Sequence, residues 1–145
     1  MVLEKGDFIL RLSTRARYGL RAMVDLAQHY SPDDPVPLSQ IAERQKLSEG
    51  YLEQLMTFLR KGRLVRSLRG AQGGYILVRK PDSITIGEIL RCLEGSLSPT
   101  ECVDEEICER AGNCPTRLLW KRINDSIKTV IDNTTLEELC KQSEN

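Results

Sequence analysis

Three cysteines, Cys102, Cys108 and Cys114, recur with five residues between each pair in this 145-residue chain. Regularly spaced thiols in a chain without an export signature more often mark a metal or redox site than a disulfide framework. Zinc sites usually use gaps of two to four residues, so the spacing argues mildly against a zinc finger. Asp104, Glu105, Glu106 and Glu109 surround the thiols. Such negative charge disfavours a bare thiolate, whereas a bound cation removes the difficulty by taking the thiolate itself. Three thiolates with a fourth ligand suit an iron–sulfur cluster, and a cluster or metal site ranks ahead of a redox disulfide. Cys92 and Cys140 fall at apolar positions of predicted helices and read as small buried hydrophobes. No catalytic constellation accompanies these residues. The only histidine, His29, reads as a surface residue, and there is no Gly-rich phosphate loop and no paired carboxylates on a defined pocket. The chain does not read as an enzyme.

The elements that hold such a segment are legible on both sides of it. Residues 38–62 predict two helices joined by a tight turn. Ile41 and Ala42 face inward on the first, Leu47 plugs the turn, and Leu52, Leu55 and Leu59 share a face of the second. Ser48 is the expected N-cap of the second helix, and Gly62 its left-handed terminator. This is the layout of a helix-turn-helix. Residues 64–69 and 75–79 then read as strands flanking Gly70, Gly73 and Gly74, a hairpin that makes the unit a winged helix.

The net charge of zero hides a division. Residues 1–80 carry 14 Lys+Arg against 8 Asp+Glu, a net of +6, and residues 81–145 carry 7 against 13, a net of −6. Between residues 60 and 69 lie five positive charges, Arg60, Lys61, Arg63, Arg66 and Arg69, and no negative one. A charge run is ordinarily a solvated face. Here it joins a recognition helix to a wing, which favours a nucleic-acid footprint. The reading and positioning roles divide by chemistry. Glu53 accepts from cytosine N4 and Gln54 pairs with adenine; Ser48 and Tyr51 hold phosphates. Arg66 and Arg69 face the DNA backbone from the wing, with Arg69 entering the minor groove or binding its phosphate wall, and Gly73 and Gly74 let the hairpin come close.

Residues 13–29 predict a first helix with Ser13 as N-cap and Leu20, Met23, Val24 and Ala27 as its apolar face. Arg11, Arg15, Arg17 and Tyr18 near its start are further candidates for phosphate contact. Thr85-Ile86-Gly87-Glu88 is a capping box opening a helix that ends at Gly95. A long helix starts near Pro115, with Leu119, Ile123, Ile127 and Ile131 at four-residue steps and Trp120 and Val130 widening the stripe. That stripe exceeds what so small a chain can cover, so the helix is expected to make a homodimer. Thr135 to Glu138 form another capping box before a short last helix. The organisation is a DNA-binding domain over 10–82, followed by the cysteine segment and dimerisation helix over 83–145. No apolar run is long enough to span a membrane, and the first ten residues lack a signal-peptide pattern, so the expected location is the cytoplasm.

The order of winged helix, capped helix, three-cysteine segment and long helix resembles the Rrf-type family of bacterial winged-helix transcriptional regulators, and most of all its iron–sulfur members. The resemblance runs from Leu10 to Leu139. It rests on Arg11-Leu12-Ser13, on residues 48–55, on Arg69 to Tyr75, and on the three cysteines followed by Leu119-Trp120. It implies a dimeric repressor whose three cysteines hold a 2Fe-2S cluster, with cluster occupancy altering promoter choice and cluster-biogenesis genes as targets. Many members carry a histidine three residues after the last cysteine. This chain has Arg117 there, which has no lone pair to donate. Arg17 matches the position where other members place a carboxylate, so the fourth ligand stays open. A nitric oxide or redox sensor on the same scaffold, and an iron–sulfur carrier, are the alternatives.

Overall fold

The computed structural model describes residues 12–95, 97 and 114–143; Cys102, Cys108 and the acidic residues around them lie outside that set. The elements are α1 (Thr14–Gln28), α2 (Leu38–Gln45), α3 (Glu49–Lys61), β1 (Val65–Leu68), β2 (Gly74–Leu77), a 3-10 turn (Pro81–Ser83), α4 (Ile86–Glu94), α5 (Arg117–Asp132) and α6 (Leu136–Ser143). The chain is therefore mainly helical with one antiparallel hairpin, as the sequence predicts.

Each expected N-cap forms. Ser13 Oγ accepts from Ala16 N at 3.1 Å and Ser48 Oγ from Tyr51 N at 3.2 Å. Thr85 and Glu88 close a reciprocal box, with Glu88 N donating to Thr85 Oγ1 at 3.2 Å and Thr85 N to Glu88 Oε2 at 2.9 Å. Thr135 Oγ1 accepts from Glu138 N at 3.2 Å. A cap of this kind contributes about 1 kcal/mol, because it satisfies backbone donors that the first turn leaves without partners.

The core is built where α1, α2, α3 and α4 meet. Met23, Leu26, Ile41, Leu52, Leu55, Met56, Leu59, Ile89 and Leu93 are all buried, with Ile84 and Leu136 closing one end. The face of α1 differs from the expected one. Its buried residues are Ala16, Gly19, Ala22, Met23, Asp25 and Leu26, while Leu20, Val24 and Ala27 are only half-buried. The small residues decide this orientation. A Cβ on Gly19 would stand 2.8 Å from Leu93 Cδ2, so glycine lets α4 lie close against α1.

The end of α3 also differs. Gly62 caps the helix at φ −78°, an ordinary conformation, and the left-handed residue is the next one, Arg63, at φ 60°. Leu64 N donates to Leu59 O and Arg63 N to Arg60 O, both at 3.0 Å, the paired bonds of a Schellman ending. Gly62 is glycine for a packing reason instead: a Cβ there would collide with Cys92 Sγ on α4. The same ending closes α2. Lys46 is left-handed at φ 55°, and Leu47 N donates to Ala42 O at 3.0 Å, which seats Leu47 in the turn as expected.

One buried charge ties α1 to the helix-turn-helix. Asp25 is 2% exposed. Arg44 grips its carboxylate with Nε at 2.9 Å and Nη2 at 2.6 Å, and Gln45 Nε2 adds a third bond at 2.9 Å. Burial alone would push this carboxyl up. The hydrogen bonds from Arg44 and Gln45 and the Arg44 charge outweigh it, so the group titrates below the ordinary aspartate range.

In the hairpin, Val65 pairs with Leu77, Arg66 with Ile76, Ser67 with Tyr75 and Leu68 with Gly74. Val36 extends it on the other side, exchanging two 2.9 Å bonds with Tyr75. The long helix α5 lies against α4, fastened by Arg91 Nη1 and Nη2 to the Asp132 carboxylate at 2.6 and 2.9 Å. Backbone bonds of 2.9 Å, Ile86 N to Thr134 O and Leu136 N to Ile84 O, join the start of α4 to the α5–α6 turn.

Candidate nucleic-acid interface and cysteine segment

The outer face of α3 follows from its inner one. With Leu52, Leu55, Met56 and Leu59 buried, helical spacing turns Glu53 and Gln54 outward, and both are exposed. Ser48 stands exposed at the head of the helix, its hydroxyl already accepting from Tyr51 N. Tyr51 is half-buried, its ring edge-on to Tyr18 with centroids 6.2 Å apart. Arg21 covers the Tyr18 ring at 5.3 Å and donates from Nε to Gln45 Oε1 at 3.2 Å. The aromatic pair and its cation thus connect α1 to the first turn of α3.

On the wing, Arg66 and Arg69 are exposed. Among the described residues, none of Arg60, Lys61, Arg63, Arg66 and Arg69 is held in an ion pair, so the run faces solvent as unneutralised positive charge. Arg79 differs: it bonds Glu88 Oε1 at 2.7 Å and Ser83 O at 3.1 Å, so it braces the wing base against α4. Gly73 and Gly74 are glycine for reasons inside the protein. A Cβ on Gly73 would meet Gly70 O at 3.0 Å, and one on Gly74 would meet Pro37 N at 2.8 Å, where the Val36 bridge crosses. Gly70, at φ +114° with open space around it, supplies the turn.

Of the three regularly spaced thiols, Cys114 is among the described residues. It stands half-buried just before α5, with Sγ 3.3 Å from Thr116 Oγ1. Arg117 opens α5 itself, also half-buried. Cys102 and Cys108 lie outside the described residues, and no group of three metal-ligating side chains occurs among the described residues. The donor set in the sequence, three soft thiolates on one segment between α4 and α5, suits iron–sulfur chemistry. Cys92 and Cys140 are both half-buried in helices. Burial, and then the Glu88 charge, push the Cys92 thiol up, which keeps it protonated and inert.

The stripe of α5 is open. Leu119 is 50% and Val130 64% exposed, Ile123, Ile127, Ile131 and Trp120 are half-buried, and Leu118 adds a further exposed side chain at 67%. The only fully buried residue of the helix is the polar Asn124.

Sequence reasoning missed two features of this region. Asp25 carried no local signal beyond a charge between the buried positions 23 and 26. Phe58 carried a better one: it is an aromatic residue off the buried stripe of α3, and the Arg15 guanidinium lies 4.6 Å over its ring.

Comparison with known proteins bears on all of this. The family model Rrf2, described as an iron-dependent transcriptional regulator, matches residues 12–142. The HTH-type transcriptional regulator CymR of Bacillus subtilis is 47% identical over 131 residues, 90% of this chain and 90% of that protein. The HTH-type transcriptional regulator IscR of Pectobacterium atrosepticum is 41% identical over 135 residues, 93% of this chain and 82% of that protein. Among solved structures, CymR, the global cysteine regulator of B. subtilis, superposes with a TM-score of 0.77 at 48% identity, covering 92% of this chain and 98% of that one. T. potens IscR superposes with a TM-score of 0.75 at 45% identity, covering 92% and 88%. No described helix is long and apolar enough to cross a membrane.

Proposed function

Because the chain belongs to the Rrf2 family of winged-helix transcriptional regulators, which are not enzymes, we propose that it is a cytoplasmic homodimeric repressor whose promoter binding is governed by a 2Fe-2S cluster. The observation that carries the cluster is the thiol trio, Cys102, Cys108 and Cys114, placed between the last helix of the winged unit and α5. The description of the family as iron-dependent and the likeness to IscR proteins support the same reading. The fourth ligand comes from elsewhere than Arg117, and genes of cluster biogenesis are the proposed targets. When bound, the cluster would supply a redox-active charge at these thiols, and iron and sulfide availability would set its occupancy.

The protein's own groups do the rest. Ser48 and Tyr51 hold phosphates at the head of α3, while Glu53 and Gln54 meet base edges in the major groove. Arg66 and Arg69 bring the wing against the backbone, Arg69 at the minor groove. Gly73 and Gly74 keep the hairpin narrow beside it. The open stripe of α5 supports a second copy as its cover, since several half-buried and exposed apolar side chains line one face.

The comparably close CymR proteins favour a second reading, in which the same scaffold answers to cysteine status. The visible absorption spectrum of anaerobically purified protein, with iron and acid-labile sulfide analysis, separates the two. Charge-transfer bands with two irons and two sulfides per chain are expected. Colourless, iron-free protein that binds DNA under cysteine control would instead support the second reading.

A further inference from the structure

Arg15 was expected among the residues near the start of α1 that reach phosphates. Its geometry directs it elsewhere. Nε donates to Leu93 O at 2.6 Å, in the last turn of α4, where carbonyls lack intrahelical partners. The guanidinium carbon sits over Phe58, 4.6 Å from the ring centroid. Two residues earlier, Ser13 N donates to Glu94 Oε1, fixing the same end of α4 to the head of α1. One side chain therefore joins three helices: the head of α1, the exit of α4 and the outer side of α3.

Phe58 shows why that junction matters. It is exposed, and it stands off the stripe of Leu52, Leu55 and Leu59 that anchors α3 to the core. The core holds the inner face of α3, and two further side-chain contacts hold its flanks. Tyr18 against Tyr51 braces the first turn, and Arg15 against Phe58 braces the last turns. Only a planar cation with a side donor does both jobs at once. Lysine has the charge but neither the fork nor the stacking plane.

We propose that Arg15 is a positioning residue for sequence recognition. It sets the angle of α3 by clamping Phe58 to the exit of α4, and it makes no phosphate contact of its own. The proposal rests on the DNA reading of α3 but not on any cluster.

The test uses the full chain and two duplexes: one selected by the wild-type protein from a random-sequence pool, and a scrambled duplex of equal length. Arg15→Lys, Arg15→Met, Phe58→Leu and the Arg15→Met/Phe58→Leu double variant are compared with wild type, with melting temperatures as a check on folding. Affinity for the selected duplex is expected to fall about three- to tenfold in both Arg15 variants, on the scale of one stacked cation and one hydrogen bond. Affinity for the scrambled duplex and the salt slope should stay unchanged. The double variant should lose little more than the worse single one, because the two side chains form one contact. If Lys restores wild-type affinity, or if the salt slope falls by about one with equal loss on both duplexes, Arg15 contacts phosphate and the proposal is overturned. Unchanged affinity for the selected duplex in every variant would overturn it too. A wild-type chain that selects no sequence at all would defeat the DNA reading itself.

Discussion

At the scale of single residues, the proposed interface divides into groups expected to read bases and groups expected to hold the backbone. Arg69 is exposed on the wing and in no ion pair among the described residues; Glu53 is exposed in the middle of α3. Arg69→Ala is expected to weaken binding to every sequence and to lower the salt slope by about one, the release of one phosphate's counterion. Glu53→Ala should instead relax preference at one base pair, by about 1–3 kcal/mol of discrimination. Titration of each variant against single-base operator variants over a range of salt concentrations measures both effects, and an identical uniform loss would cancel the division. Asp25 makes a prediction of another kind. Its folded-state titration lies below the unfolded value, so its contribution is fully present above the ordinary carboxylate range. That contribution is lost as pH falls through the lowered folded value. Asp25→Asn keeps the shape but leaves Arg44 facing a neutral amide. It should cost about 2–3 kcal/mol at neutral pH and flatten the acid side of the stability profile, read by denaturant melts across pH.

At the scale of elements, the features legible in the sequence are those set by neighbours along the chain. Ser13, Ser48, Thr85 and Thr135 announce their helices because a cap needs only the next three residues. The hairpin is legible for the same reason, from glycines between short strands. What escapes is set by partners far away. The α1 face is rotated because Gly19 admits Leu93 from α4, and Gly62 is dictated by Cys92, thirty positions on. The Arg15 contacts escape for the same reason, with Leu93 distant in sequence. Three substitutions check this view of the α3 ending. Gly62→Ala should destabilise by about 1–3 kcal/mol through the clash with Cys92 Sγ, and adding Cys92→Ala should recover most of it. Strictly additive effects in thermal melts would mean that the two residues do not share the contact. Arg63→Gly should raise stability by about 0.5–1 kcal/mol, because glycine takes the left-handed conformation without the Cβ penalty.

At the scale of the whole molecule, α5 is fastened to α4 while most of its apolar stripe stays open. The core takes buried side chains from α1 to α4 and Leu136 from α6, whereas α5 buries no apolar side chain completely. A second copy laid along that stripe would cover Leu119, Ile123, Ile127 and Val130 together. Each side chain so buried contributes up to about 1.5–3 kcal/mol. Leu119→Glu should therefore give monomers in sedimentation experiments while leaving the helical content nearly intact, since Leu119 is already half exposed within one chain. Persistence of the dimer would place the interface elsewhere. The proposed dimer would also bear on recognition, because two winged units would then meet two half-sites at a fixed spacing. In sequence the three thiols fall between α4 and α5, so the proposed control couples cluster occupancy to DNA binding through these two helices. The most direct measurement is the affinity for one selected operator of cluster-loaded protein and of the apo protein prepared from the same sample, under anaerobic conditions at one salt concentration. A ratio of about 5–150 between the two dissociation constants is expected, the usual span of coupling between linked sites, and Cys102→Ala, Cys108→Ala and Cys114→Ala should each behave as apo protein. Superimposable isotherms for loaded and apo protein would contradict cluster control of DNA binding.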